Sequence, residues 1–300
     1  MDGVGLGEDN EHNPLAHTAM PNLERLLDGQ RLLASSAPHK GELAMLLALD
    51  ANLGVPDLPQ SATGQATLVT GVNVPALIGK HYGPKPTPDI GAIIEERNLF
   101  SELAARGYRS ALLNAYPQGY FDAITRGRRL YSAIPWAVAS AGIQLKTAGD
   151  LMAGEAFSAD FTGRGWREQL GYKDAPLMGE AEAGRLLAQV AAGYDLAFFE
   201  YWPSDFAGHR QDMEAATHLL TNFDGVLGGL VDAWPHEEGL ILVTSDHGNM
   251  EDLSTRRHTY NPVPALVIGS ADLRQSFCAN LETLADVTPA ILGFYPDQAA

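Results

Sequence analysis

The stretch Gly239-Leu240-Ile241-Leu242-Val243-Thr244-Ser245-Asp246-His247-Gly248-Asn249 decides the fold. Its first half is an unbroken apolar run of strand length, the pattern of a strand buried on both faces. Asp246 and His247 follow at once, at the carboxyl end of that strand. In α/β proteins the crevice outside the strands' carboxyl ends is where ligands bind. A carboxylate and an imidazole side by side there are placed for metal chemistry.

Working outward, similar runs occur at Ser110 to Ala115, Leu196 to Tyr201 and Ala265 to Ile268. Helical patterns separate them rather than hairpin turns. Leu99 to Arg106 closes on Gly107 and Glu180 to Ala192 closes on Gly193. Met213 to Trp234 carries Leu219, Leu220, Phe223, Val226, Leu227, Leu230 and Val231 at helical spacing, a stripe that faces a core. Strands alternating with helices predict an α/β fold, a three-layer αβα sandwich around a mainly parallel central sheet. The chain reads as one domain over residues 1–300, with a less regular, glycine- and aromatic-rich elaboration over the active face at about residues 117–179. It opens Met1-Asp2-Gly3-Val4-Gly5-Leu6-Gly7, a loop of the kind that follows a core strand, yet no strand precedes it.

Acidic residues number 37 against 20 Lys and Arg, a net charge of −17, which opposes binding to a nucleic-acid polymer or an anionic membrane. A small anionic substrate needs local neutralisation, which bound metals supply. Cys278 is the only cysteine, so no intrachain disulfide forms, and its expected role is packing. No run approaches the ~20 apolar residues of a membrane span, and no basic-then-apolar leader opens the chain. The expected compartment is the cytoplasm. Oligomeric state is left open.

Three further segments carry chemistry. Asp205-Phe206-Ala207-Gly208-His209 follows the run ending at Tyr201, and Pro203 with Gly208 predicts a loop there. A carboxylate and an imidazole four apart can close on one cation. His258 lies in Arg257-His258-Thr259-Tyr260-Asn261-Pro262-Val263-Pro264. Ser61-Ala62-Thr63-Gly64-Gln65-Ala66-Thr67-Leu68-Val69-Thr70-Gly71 has a hydroxyl residue in N-cap position and a terminal glycine, the signature of a capped helix. Functionally, Ser61 would attack phosphorus while free N–H groups at the helix start hold phosphoryl oxygens. Thr63 is a rival nucleophile. His12, His17, His39, His218 and His236 have no partner motif.

Together these blocks resemble the alkaline phosphatase superfamily, in the branch of cofactor-independent phosphoglycerate mutase, phosphopentomutase and the nucleotide pyrophosphatase/phosphodiesterases. The resemblance rests on Asp2 to Gly5, Ser61 to Gly71, Asp205 to His209, Asp246 to Asn249 and His258 to Pro264, in the family's order. It implies an alkaline-phosphatase-like fold. It also implies that Asp2, Ser61, Asp246 and His247 surround one divalent metal and that Asp205, His209 and His258 surround a second. Oxygen and imidazole ligands without thiolate suit Zn²⁺ or Mn²⁺, and Mg²⁺ fits less well beside three histidines. The implied activity is a two-metal phosphoester hydrolase, a phosphatase or phosphodiesterase, with a phosphoserine on Ser61 and a small phosphorylated substrate. A phosphomutase and a non-catalytic remnant binding a phosphorylated ligand are the alternatives.

The spacing from Ser61 to Gly64 favours Ser61 over Thr63. Gly64 stands where the phosphodiesterases place an asparagine on the phosphoryl oxygen, so that contact comes from backbone, from Gln65, or from nowhere. The mutases insert a large domain soon after the nucleophile helix, for which Gly71 to Leu99 has no room. Lys80, His81, Arg126, Arg128 and Arg129 are further candidates for substrate contact, since a guanidinium fork matches phosphate or carboxylate.

Overall fold

A computed structural model describes residues 1–297, and its layering is set by the strand Val263–Ile268, every residue of which is buried. Alternate side chains of a strand point to opposite faces. Leu266 and Ile268 enter one core cluster with Ala183, Leu187, Leu220, Val226 and Leu227, from the helices Glu180–Ala191 and Met213–Ala233. Val263, Ala265 and Val267 enter another with Phe277, Leu284 and Val287, from the C-terminal helices. Helices therefore cover both faces, giving the α/β sandwich read from the sequence.

Among the described residues the strands form one four-stranded antiparallel sheet and two separate parallel pairs. Ser110–Leu112 runs parallel to Leu196–Phe198, and Ala115–Tyr116 parallel to Lys146–Thr147. Val263–Ile268 is antiparallel to both its neighbours, Ile241–Thr244 and Ala44–Leu49. The chain passes from Ile241–Thr244 to Val263–Ile268 through residues 245–262, which contain no helix, so it returns in the opposite direction without a crossover. Ala44–Leu49 is a strand that the sequence did not announce. Its Ala, Leu and Met content favours helix, and pairing along Val263–Ile268 overrides that preference.

The opening residues are pinned rather than frayed. The Met1 ammonium donates to the Thr244 carbonyl at 2.6 Å, and the Asp2 N–H donates to the Tyr201 carbonyl at 3.0 Å. Asp2 is thereby held between the carboxyl ends of two strands. The middle of the chain is more regular than expected, with helices Gln118–Thr125, Ala133–Ser140, Ala148–Met152 and Arg164–Glu168. Tyr120, Ile134, Ala137 and Val138 share a core with Ala62, Ala66 and Val69, so this region packs directly against the helix that begins at Ser61. Among the described residues no helix is long and apolar enough to cross a membrane.

Candidate functional site

Ser61 begins the helix Ser61–Thr70, and the N-cap position belongs to Gln60, which makes no side-chain cap. The expectation of Ser61 as a capping hydroxyl is thus corrected. Its hydroxyl faces His247 instead, with Oγ 3.0 Å from Nε2. The helix start is also less open to an anion than expected. The Thr63 N–H donates to the Tyr82 carbonyl and the Gly64 N–H to the Gln60 carbonyl. Thr63 is turned away from the site, its hydroxyl donating to the carbonyl of Gln60.

Gly64 is there for close approach. A Cβ at residue 64 would lie 2.5 Å from the Asp246 carbonyl oxygen, so only glycine lets the helix pack onto the loop after Ile241–Thr244. Gln65 does not face an open phosphoryl position as supposed. Its amide nitrogen donates to Asp246 Oδ2 at 3.1 Å and Asp2 Oδ2 at 3.3 Å, between two carboxylates.

Asp205 and His209 sit on a helix, Pro203–Arg210, and not in a loop. Pro203 occupies its first turn, where the missing N–H costs nothing, so a proline read as a loop marker in fact opens the helix. Four residues apart, the two side chains share one helix face, with His209 Nε2 3.3 Å from Asp205 Oδ2.

Six of the seven candidates meet as two adjoining groups, and the seventh, Ser61, faces His247 in one of them. Asp205, His209 and His258 have donor atoms within 4.8 Å of one another, and so do Asp2, Asp246 and His247. The rings of His247 and His258 stack with centroids 3.8 Å apart, joining the groups. His247 Nε2 lies 3.3 Å from Asp2 Oδ1 and 3.6 Å from Asp246 Oδ2. Apart from that imidazole, buried Asp2 Oδ1 has no hydrogen-bond partner among the described residues.

Outer partners settle the histidine tautomers. His258 Nδ1 lies 2.6 Å from the Pro59 carbonyl oxygen, and His209 Nδ1 lies 2.7 Å from that of Arg256. A carbonyl oxygen only accepts, so both Nδ1 atoms carry hydrogen, and in the neutral rings both Nε2 atoms present lone pairs. Those two Nε2 atoms are 3.2 Å apart, with Asp205 Oδ1 3.7 Å from one of them. Two lone pairs and a carboxylate facing one another repel unless a cation lies between them. The donor set fits a divalent metal of the imidazole-binding kind.

Burial and crowding of like charge leave their mark on titration. Burial, reinforced by Asp246, pushes Asp2 up to about 7. Burial opposes charge on His247, but Asp246 and Asp2 outweigh it and raise the imidazole to about 10. His258 is pushed down to about 3 by burial and by the neighbouring His247. Burial first, then Asp246, raises Asp205.

The peripheral candidates are not brought to this centre. His81 is buried, with Nε2 2.9 Å from the Asn52 carbonyl oxygen, and buttresses the helix beside Thr63. Lys80 is exposed over the Tyr82 ring, and Arg126 and Arg128 are exposed. Arg129 stacks over Tyr120 with its guanidinium 4.8 Å from the ring centroid. Their residue types suit anions, but sequence proximity to the nucleophile helix does not fix where a surface side chain points.

Two acids, half-buried Glu200 and buried Glu251, were not among the candidates. Glu200 accepts from the Tyr116 hydroxyl at 3.0 Å, and burial pushes it up to about 7. Glu251 is 1% exposed and accepts hydrogen bonds from Gly5, Asn249, Thr259 and Asn261. A lone acid at the end of an apolar run (Glu200) or just past a motif (Glu251) is the signal that was available.

Residues 170–295 match the family model described as Metalloenzyme superfamily. The 2,3-bisphosphoglycerate-independent phosphoglycerate mutase of Dinoroseobacter shibae is 35% identical over 122 residues, covering 38% of this chain and 23% of the mutase. The enzyme of that name from Desulforudis audaxviator is 37% identical over 105 residues, covering 33% of this chain and 20% of the mutase. The chain thus spans less than a quarter of the length of these curated relatives.

Among solved structures, the alkaline phosphatase of the Antarctic bacterium TAB5 aligns with a TM-score of 0.56 at 14% identity, covering 99% of this chain and 96% of that one. The PH0037 protein of Pyrococcus horikoshii aligns with a TM-score of 0.56 at 15% identity, covering 100% and 96%. At such identities the likeness is one of fold. Residues 170–295 thus resemble the metalloenzyme superfamily, and the chain shares its fold with alkaline-phosphatase-like structures.

Proposed function

We propose that this chain is a metal-dependent phosphoryl-transfer enzyme of the phosphomutase type, acting through a phosphoserine on Ser61 of a small phosphorylated substrate. The observation that carries the reading is Ser61 Oγ 3.0 Å from His247 Nε2, beside two carboxylates and a facing pair of imidazole lone pairs. Asp2, Ser61, Asp246 and His247 would hold one divalent cation and Asp205, His209 and His258 the other. Bound there, two cations neutralise phosphoryl charge and lower the serine pKa. Zn²⁺ or Mn²⁺ suits the donors best.

The chain's own groups account for the rest. Helix Ser61–Thr70, packed through Gly64 against Asp246, presents Oγ in a fixed direction. His247 Nε2, 3.0 Å from the serine hydroxyl, would be a ligand of the cation, so loss of the serine proton would be favoured by the cation rather than by that imidazole. Oγ forms a bond to phosphorus as the substrate's C–O–P oxygen leaves and takes up a proton. A second hydroxyl of the same substrate then takes the phosphoryl group from Ser61, restoring the serine. Names of the matched relatives support this destination for the phosphoryl group.

Hydrolysis of the phosphoserine is a second reading. It is favoured by the short connection after the nucleophile helix, where residues 71–87 hold one helix, Val74–Ile78, and no inserted domain to exclude water. The test is incubation of protein loaded with Zn²⁺ or Mn²⁺ with 3-phosphoglycerate and, separately, ribose 1-phosphate, followed by phosphorus NMR. Isomer without free phosphate is the expected result, and free phosphate selects the hydrolase. Neither product, with no phosphate trapped on Ser61, overturns phosphoryl transfer.

A further inference from the structure

We infer that Glu251 is the positioning residue of the candidate centre, its one carboxyl group tying together the three loops that carry Asp2, Asp246 with His247, and His258. The inference rests on the two-metal reading above. Oε2 accepts the N–H groups of Gly5 and Asn249, each at 2.8 Å. Oε1 accepts the Thr259 hydroxyl and the Asn261 amide nitrogen, the latter at 3.1 Å. Gly5 lies three residues from Asp2, Asn249 two from His247, and Thr259 next to His258.

Room for the carboxyl is built in. A Cβ at Gly5 or at Gly248 would overlap it, so glycine at both positions lets the backbones close around Glu251. The connection extends one step further, because Asn249 also donates from its side chain to Asp205 Oδ1 at 3.0 Å. Backbone bonds join the loops two at a time, Leu6 to Pro262, Thr259 to Gly248 and Met250 to Gly3, whereas a single carboxyl group bonds to all of them. Glu251 joins all three. Burying a carboxyl group is costly unless its lone pairs are used, and here each oxygen accepts two bonds. Outer partners of this kind orient first ligands and tune metal affinity.

Hydrogen-bond polarity gives the inference a sharp test. On the Oε2 side both donors are backbone N–H groups, which cannot reverse. On the Oε1 side the Thr259 hydroxyl can rotate to accept and the Asn261 amide can flip to accept. A glutamine therefore fits with its NH₂ toward Thr259 and Asn261, and an alanine leaves all four donors without a partner.

The measurement is Zn²⁺ stoichiometry and affinity of the full chain by competition with a chelator, with thermal unfolding recorded alongside. Glu251→Ala is expected to weaken Zn²⁺ binding by about 10–100-fold, and Glu251→Gln by less than about 10-fold. Leu103→Ala, in a separate apolar cluster with Leu99 and Leu292, is the control for general destabilisation. It is expected to lower the melting temperature while keeping both Zn²⁺ equivalents. Should Glu251→Ala fail to fold, Thr259→Val removes one of the four bonds with little change of shape and is expected to weaken Zn²⁺ binding several-fold. Wild-type affinity in Glu251→Ala or Thr259→Val, or equal loss in Leu103→Ala at matched melting temperature, overturns the inference. Failure of the unaltered protein to take up two equivalents would instead sink the two-metal reading.

Discussion

Ser61 and Glu200 make opposite demands on their surroundings. As the proposed nucleophile, Ser61 would have to lose a proton, and its hydroxyl lies beside an imidazole and two carboxylates. Ser61→Ala is expected to abolish trapping of phosphate on the protein and to lower turnover by about 10³-fold or more, measured with the better of the two substrates above.

Glu200 holds its proton more tightly than a free carboxyl. Burial, with Asp2 and Asp246 nearby, raises it from 4.5 to about 7 against the Tyr116 hydrogen bond and Lys85. The folded state then binds more protons than the unfolded state between those values, so stability falls as pH rises through that window. The loss amounts to about 3 kcal/mol above pH ~7. Glu200→Gln cannot ionise. In metal-free protein it is expected to be the more stable form at pH 8, with the difference vanishing below pH ~4.5, as read from denaturant midpoints at each pH. At this scale the sequence was an uneven guide. The metal-binding residue types were visible in the sequence, while Glu200 and Glu251 showed only as lone acids beside an apolar run and a motif, because their role lies in contacts with distant segments.

Elements gave up their existence more readily than their boundaries or partners. The helices expected from residues 99, 180 and 213 begin there, because apolar residues recur at helical spacing whatever the tertiary context. Asp205 to His209 was misread since proline and glycine mark loops as readily as the first turn of a helix. Small residues also set how elements approach. Gly184, on Glu180–Ala191, packs so closely on Met213–Ala233 that a Cβ would overlap the Val226 carbonyl oxygen. Gly184→Ala is expected to force these helices apart and destabilise the protein by about 1–3 kcal/mol, seen as a lower melting temperature with metal stoichiometry retained.

Over the whole molecule, the carboxyl ends of the strands gather segments from both ends of the chain, as Met1 bonded to Thr244 illustrates. Such a centre makes folding and metal binding one equilibrium. At a free-metal concentration a hundred times the dissociation constant, each site adds about 2.7 kcal/mol. Chelation of purified holoprotein is therefore expected to lower the melting temperature by several degrees. Adding Zn²⁺ or Mn²⁺ back should restore it, and a curve indifferent to chelator would contradict a built centre. Acidity of the chain, −17 overall, is compatible with an anionic substrate once two cations are seated.

The sequence by itself determined the layered α/β fold, the strand ahead of Asp246 and the inventory of oxygen and nitrogen donors. Those depend on local periodicity and residue chemistry, which a linear chain displays. Only tertiary structure decided that His209 and His258 turn their lone pairs on each other and that Asp205 rides on a helix. Structure alone also showed Gln65 spent on carboxylates and one buried glutamate closing three loops. Each of these depends on which backbone groups, tens to hundreds of residues away, arrive within hydrogen-bond distance, and packing alone sets that.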